Sequence, residues 1–168
     1  PGRYYTIKVP YAYNYYDLND QIIDRGQDGQ HGMHVAGTVA ANGAIKGVAP
    51  EAQLLGMKVF SDDVLYATTL TDIYLKAIDD SIRLGADAIN MSLGSPAGFY
   101  VVDSMEDAAI NNARANGITV AISAGNERNT MQGSANFADY LAVYTTNQSK
   151  NPDNGVVGSP SVNAGSLS

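Results

Sequence analysis

Apolar positions in this chain fall in short runs separated by stretches of helical spacing, and that alternation predicts most of its elements. Val9, Tyr11, Tyr13 and Tyr15 alternate with other residues, which predicts a strand with one aromatic face, packed rather than offered to a carbohydrate. Residues 17–30 are polar, with Asp17, Asp20, Asp24, Asp28, Gly26 and Gly29, and read as a loop. The spacing predicts a short helix from His31 to about Ala41, stopped by Asn42-Gly43. Residues 54–60 are a short apolar run that reads as a buried strand. Thr69, with Asp72 three residues on, is the expected N-cap of a helix that ends at Gly85. Its apolar stripe is Leu70, Ile73, Tyr74, Ala77, Ile78 and Ile82. Residues 88–93 form the next expected strand, closed by Gly94-Ser95-Pro96. A second capped helix follows over 104–116, with Ser104, Asp107 and a terminal Gly117. Residues 118–123 make a further strand, broken at Gly125-Asn126. After Asn129 the regularity is lost, and residues 145–168 read as loop.

Apolar strands alternating with capped helices define βαβ units, hence an α/β chain with a parallel sheet. Ligands of such sheets bind beyond the carboxyl ends of the strands. Ser92, Leu93, Gly94 and the run Ala124-Gly125-Asn126 fall at two of those ends. An extended peptide could pair with the backbone of residues 92–94 by strand addition.

At 168 residues the chain suits one domain burying roughly 70% of its unfolded surface. A net charge of −7 argues against nucleic acid, which requires clustered Lys and Arg. The absence of cysteine removes disulfides, a thiolate nucleophile and cysteine-ligated zinc. No run of 18 apolar residues occurs, so no membrane span is expected. No charged-then-apolar leader follows Pro1, which suggests a removed leader or an internal piece of a longer chain. No Gly-x-Gly-x-x-Gly links a strand to a helix, which disfavours a nucleotide fold.

Candidate chemistry concentrates at His31 and His34, the only two histidines. An imidazole can take and return a proton near neutral pH, and Gly32 leaves the approach to His31 open. A zinc pair would need Glu directly after the first His, a spacing of four and a third ligand; none of these is present. Two histidines without chemical role remain the plain alternative. Asn126, just past a buried strand, could donate to a developing oxyanion or could simply be a turn residue.

Asp28-Gly29-Gln30-His31-Gly32-Met33-His34-Val35-Ala36-Gly37, Gly47-Val48-Ala49-Pro50-Glu51-Ala52, Asn90-Met91-Ser92-Leu93-Gly94 and Ser123-Ala124-Gly125-Asn126-Glu127 together resemble the subtilisin-like serine proteases. The order and spacing match over about residues 5–127. Met33, Glu127 and Gly158-Ser159-Pro160-Ser161 are similar to the cell-envelope proteinases of streptococci and lactic acid bacteria. That group includes lactocepin and the proteases that cut C5a and interleukin-8.

The resemblance implies a three-layer subtilisin-like fold, a parallel sheet flanked by helices, present here in part. Residues 1–168 would be the central part of the peptidase domain: strand and loop over about 1–30, a βα core over 31–127, and a loop-rich tail over 128–168. It implies that His31 is the general base, His34 a buried structural residue and Asn126 the side-chain donor of the oxyanion hole. Ser92, Leu93 and Gly94 would pair with the substrate backbone and border the primary specificity pocket. The family's Asp-Ser/Thr-Gly motif is absent before His31, and Asp24 and Asp28 lie in the loop. No Gly-Thr-Ser occurs; the single Gly37-Thr38 pair lies inside the histidine helix. Ser161 and Ser166 fall in a segment resembling a non-catalytic one. The expectation is a serine endopeptidase of extracellular proteins, associated with the cell wall or envelope, of which this segment alone is inactive. The alternative is a non-catalytic α/β peptide-binding module or a pseudoprotease. No metal or other cofactor is expected in this segment, because residues 42–46 are shorter than the family's calcium loop and poor in oxygen ligands. Calcium remains an expectation for other parts of the full enzyme. The expected partners are a polypeptide substrate and the remaining segments of the same protease domain.

Overall fold

Strand β1 (Tyr11–Asn14) turns its smallest and its most polar side chains inward. Ala12 and Asn14 are completely buried, while Tyr11 and Tyr13 are half-buried. The tyrosine alternation is therefore real, but within β1 its aromatic face is the less buried one, whereas Tyr15, just past the strand, is buried and packs edge-on against Tyr13. Ala12 lies opposite Gly56 of β2 (Leu55–Lys58) in a parallel ladder, and a Cβ on Gly56 would stand 3.0 Å from that of Ala12. Between these strands runs helix α1 (His31–Ala40), which completes a βαβ unit. The computed structural model describes residues 2–23, 30–63, 68–95, 101–125 and 157–168. It divides into two compact units, Pro1–Asp87 and Ala88–Ser168.

Helix α2 (Thr71–Arg83) buries Tyr74, Ala77, Ile78 and Ser81, a stripe three and four residues apart, and leaves Leu70 59% exposed. The expected Thr69 cap does not form. Leu70 is the N-cap in extended conformation, its carbonyl accepts from Ile73 N, and no side chain caps the helix. Thr69 therefore precedes the cap by one residue, and its Oγ1 is buried without a hydrogen bond among the described residues. At the other end Gly85, at φ +74°, behaves as expected. Its N–H bonds to Ile82 O and that of Ala86 to Ser81 O, which closes the last turn.

The second unit repeats the βαβ arrangement. Strands β3 (Ala88–Met91) and β4 (Thr119–Ile122) pair in parallel, Ala88 opposite Thr119, around helix α3 (Met105–Ala115). Here the expected cap is present: Ser104 Oγ accepts from Asp107 N at 3.1 Å. Gly117, at φ +81°, ends α3 with the same pair of bonds that closes α2. Met91, Ile110, Ala113, Ile118, Val120 and Ile122 form the core, each large side chain contributing about 1.5–3 kcal/mol by leaving water. Leu167 exchanges bonds with Val120 and Ile122 in parallel sense, so the end of the expected loop-rich tail lies along β4 as an incipient strand.

Candidate active site

His31 is the first residue of α1, and its side chain is exposed. Gln30 precedes it as the N-cap without a side-chain bond, while Gln30 O accepts from His34 N at 2.8 Å. A Cβ added at Gly32 would meet nothing within 4 Å, so the space beside His31 is open in its unit. His34, for which the resemblance implies burial, is also exposed. Only Ala40 of α1 is buried, because the helix is held at its far end rather than along a face. That hold consists of backbone bonds: Gly47 N to Ala41 O (2.9 Å), Val48 N to Thr38 O (3.0 Å) and Ala49 N to Val39 O (2.7 Å). Lys8 Nζ, donating to Pro50 O and Ala52 O at 2.6 and 2.5 Å, fastens the same turn.

In the second unit Ser92, Leu93 and Gly94 leave β3 beside the end of β4. Ser123 N donates to Met91 O at 3.1 Å, and Ser123 Oγ to Leu93 O at 3.2 Å. Residues 92–94 and Ala124-Gly125 thus lie side by side at the carboxyl ends of two parallel strands, as the βαβ reading requires. Asn126 lies outside the described residues, as do Asp24 and Asp28.

One segment of this edge comes from the tail, at Gly158-Ser159, where the sequence carries a family mark but no sign of a place at the strand ends. Ser95 and Ser159 exchange both backbone bonds (2.9 and 3.0 Å), and Gly158 N donates to Ala124 O at 2.9 Å. Residues 158–159 therefore border the ends of β3 and β4. Side chains are excluded from this contact: a Cβ on Gly94 would meet Ser159 O at 2.9 Å, and one on Gly158 would meet Ser95 O at 2.8 Å. Glycines in a Gly/Ser/Asn-rich stretch signal a loop in sequence, and only the close backbone approach reveals their use. Ser161 is buried and bonds Ser168 Oγ (2.7 Å) and Ile122 O (3.4 Å). Ser166 Oγ donates to Ser161 O and Asn163 O. Both hydroxyls are engaged structurally.

The described groups with displaced pKa values are Tyr15, Lys76 and Asp80. Burial, then hydrogen bonding to Tyr11, pushes the Tyr15 phenol up, and the Asp80 charge adds to it. Burial alone would raise Asp80, but hydrogen bonds from Lys76 and Tyr15 outweigh it and hold the carboxyl below its usual range. Tyr15 donates to Asp80 Oδ2 at 3.1 Å, which ties the end of β1 to α2. Among the described residues no group of three His, Cys, Asp or Glu could hold a metal. At residues 42–46 the Lys46 ammonium donates to Asn42 Oδ1, so that oxygen already serves a cation.

The family model of the Peptidase S8 subtilases matches residues 6–167. The chain is 45% identical over 174 residues to a PII-type proteinase of Lacticaseibacillus paracasei, covering 98% of this chain and 9% of that protein. It is 31% identical over 170 residues to the C5a peptidase of Streptococcus pyogenes, covering 95% of this chain and 13% of the relative. In fold it matches the epidermin leader peptide processing serine protease EpiP of Staphylococcus aureus at a TM-score of 0.60 and 24% identity. That match covers 89% of this chain and 35% of EpiP. The chain belongs to the subtilase family, with its α/β fold present in part.

Proposed function

We propose that the protein containing this chain is a serine endopeptidase that cleaves extracellular polypeptides at or near the cell envelope. The observation that carries the reading is His31, at the exposed start of α1 inside a chain that belongs to the subtilases. In this reading a serine from elsewhere in the full-length protein attacks the scissile carbonyl. His31 takes the hydroxyl proton as general base and returns it to the leaving amine. Asn126 donates to the oxyanion; for subtilisin itself such a donor is known to supply about 3–4 kcal/mol, a value carried over as a family expectation. Ser92, Leu93 and Gly94 pair with the extended substrate backbone, which aligns the carbonyl with the nucleophile. Calcium, if the full-length protein uses it, binds outside residues 42–46.

The test uses the full-length protein. A fluorophosphonate labels it and stops peptide hydrolysis, and His31→Ala lowers kcat by about a millionfold. Undiminished turnover in the His31→Ala protein would overturn the assignment. Peptide binding with neither labelling nor hydrolysis would establish the non-catalytic binding module instead.

A further inference from the structure

Residues 158–163 form a tight turn, with Val162 N bonded to Gly158 O (3.2 Å) and Asn163 N to Pro160 O (3.0 Å). One end of this turn meets Ser95 and Ala124; the other is held by a buried polar pair. Asn163 Nδ2 donates to Asp107 Oδ1 at 2.7 Å, and both residues are only 6% exposed. The second Asp107 oxygen accepts from Asp103 N at 3.3 Å, and Asn163 Oδ1 accepts from Gly165 N at 2.6 Å.

A carboxylate withdrawn from water is unfavourable unless close hydrogen bonds offset the loss. The start of α3 uses one carboxylate oxygen: Asp103 N donates to Oδ2, just ahead of the Ser104 cap. What the Asp107 carboxylate adds is a fixed seat for Asn163. Two backbone bonds close the turn, and at its other end a Cβ on Gly94 or Gly158 would run into the facing backbone, so residues 158–159 lie in close backbone contact there.

We propose that Asp107 and Asn163 are positioning residues for substrate binding. They set the placement of residues 158–159 against Ser95, and thereby the room beside Ser92, Leu93 and Gly94 for a substrate side chain. The inference rests on the protease reading above and concerns binding rather than proton transfer.

The experiment compares three variants of the full-length protein on a peptide substrate. Asn163→Ala is expected to raise KM about tenfold with kcat held within about twofold, as misplacement of a binding wall does. Ser104→Ala, which weakens α3 without touching Asn163, leaves KM unchanged. Exchanging the two side chains, Asp107→Asn together with Asn163→Asp, reverses the donor and acceptor and restores the KM of the parent. An unchanged KM in Asn163→Ala overturns the proposal. So does an equal rise in Ser104→Ala, which would mark a merely structural role. Should Asn163→Ala fail to fold, Asn163→Asp alone, which sets two carboxylates against each other, is compared with the exchanged pair: a KM raised in the single variant and parental in the exchange supports the proposal, and equal KM values in the two overturn it. Full turnover in His31→Ala would instead remove the protease reading, an outcome read independently of these variants.

Discussion

Asn14 shows how much a single polar residue can organise when it is sealed from water. Its Nδ2 donates to Asp17 Oδ2 and Gln21 O, and its Oδ1 accepts from the amides of Tyr16 and Asp17. Every bond serves the bend that carries the chain out of β1. Replacement by an apolar residue of similar size, Asn14→Leu, strands two backbone N–H groups and is expected to cost about 1–3 kcal/mol. A lower urea midpoint at unchanged slope is the check; an unaltered midpoint would show that water reaches those amides. Nothing in the run Tyr13-Asn14-Tyr15 announces this role, because an asparagine between tyrosines on a strand looks like a solvent-facing residue.

Among the elements, α1 and α3 are held in opposite ways. Helix α3 is locally complete, with a Ser104 cap, acidic Glu106 and Asp107 in its first turn, Arg114 in its last and Gly117 beyond. Helix α1 has neither a side-chain cap nor a charged residue at either end. It depends on the turn after it, where Gly47 approaches the helix backbone so closely that a Cβ would lie 2.6 Å from Ala40 N. Gly47→Ala therefore cannot keep the bonds from Val48 and Ala49 to the helix. Amide hydrogen exchange at Val48 and Ala49 is expected to accelerate at least about tenfold, while α3 exchanges as before. Equal protection in parent and variant would show that α1 is held by something else. The Gly-Val-Ala-Pro motif was visible in the sequence as a family mark, but its mechanical use required the helix end to be seen beside it.

At the scale of the whole molecule, acidic groups outnumber basic ones, 17 to 10, so pH is the natural variable to perturb. Asp80 sits below its ordinary pKa in the fold, so its contribution is present above the unfolded value near 4. That contribution is lost as pH falls through the folded value. Tyr15 is displaced upward, so its contribution is present below about pH 10 and fades as pH rises beyond. Tyr15→Phe removes one of the bonds that lower Asp80. The acid unfolding transition, followed by ellipticity, should move to higher pH, and the parent's own midpoint in the variant would refute the coupling. Among the described residues no helix is long and apolar enough to cross a membrane.

What the sequence by itself determined is what residues within a few positions of one another can decide. The ends of α2 and α3 at Gly85 and Gly117, the Ser104 cap and the apolar periodicity all follow from local backbone geometry and burial of one helix face. The proposal for His31 rests instead on a family resemblance, carried by motifs that are contiguous in the chain. Tertiary structure alone decided the pairings between distant positions: β1 with β2, Tyr15 with Asp80, residue 159 with residue 95, and Asn163 with Asp107. Such bonds depend on where the chain path returns, and a hydrogen bond across 56 residues leaves no periodic trace in either partner's neighbourhood. The same cause explains why residues 145–168 read as loop in sequence, since the glycines and serines at 158–161 acquire their structural use only where another backbone passes within contact.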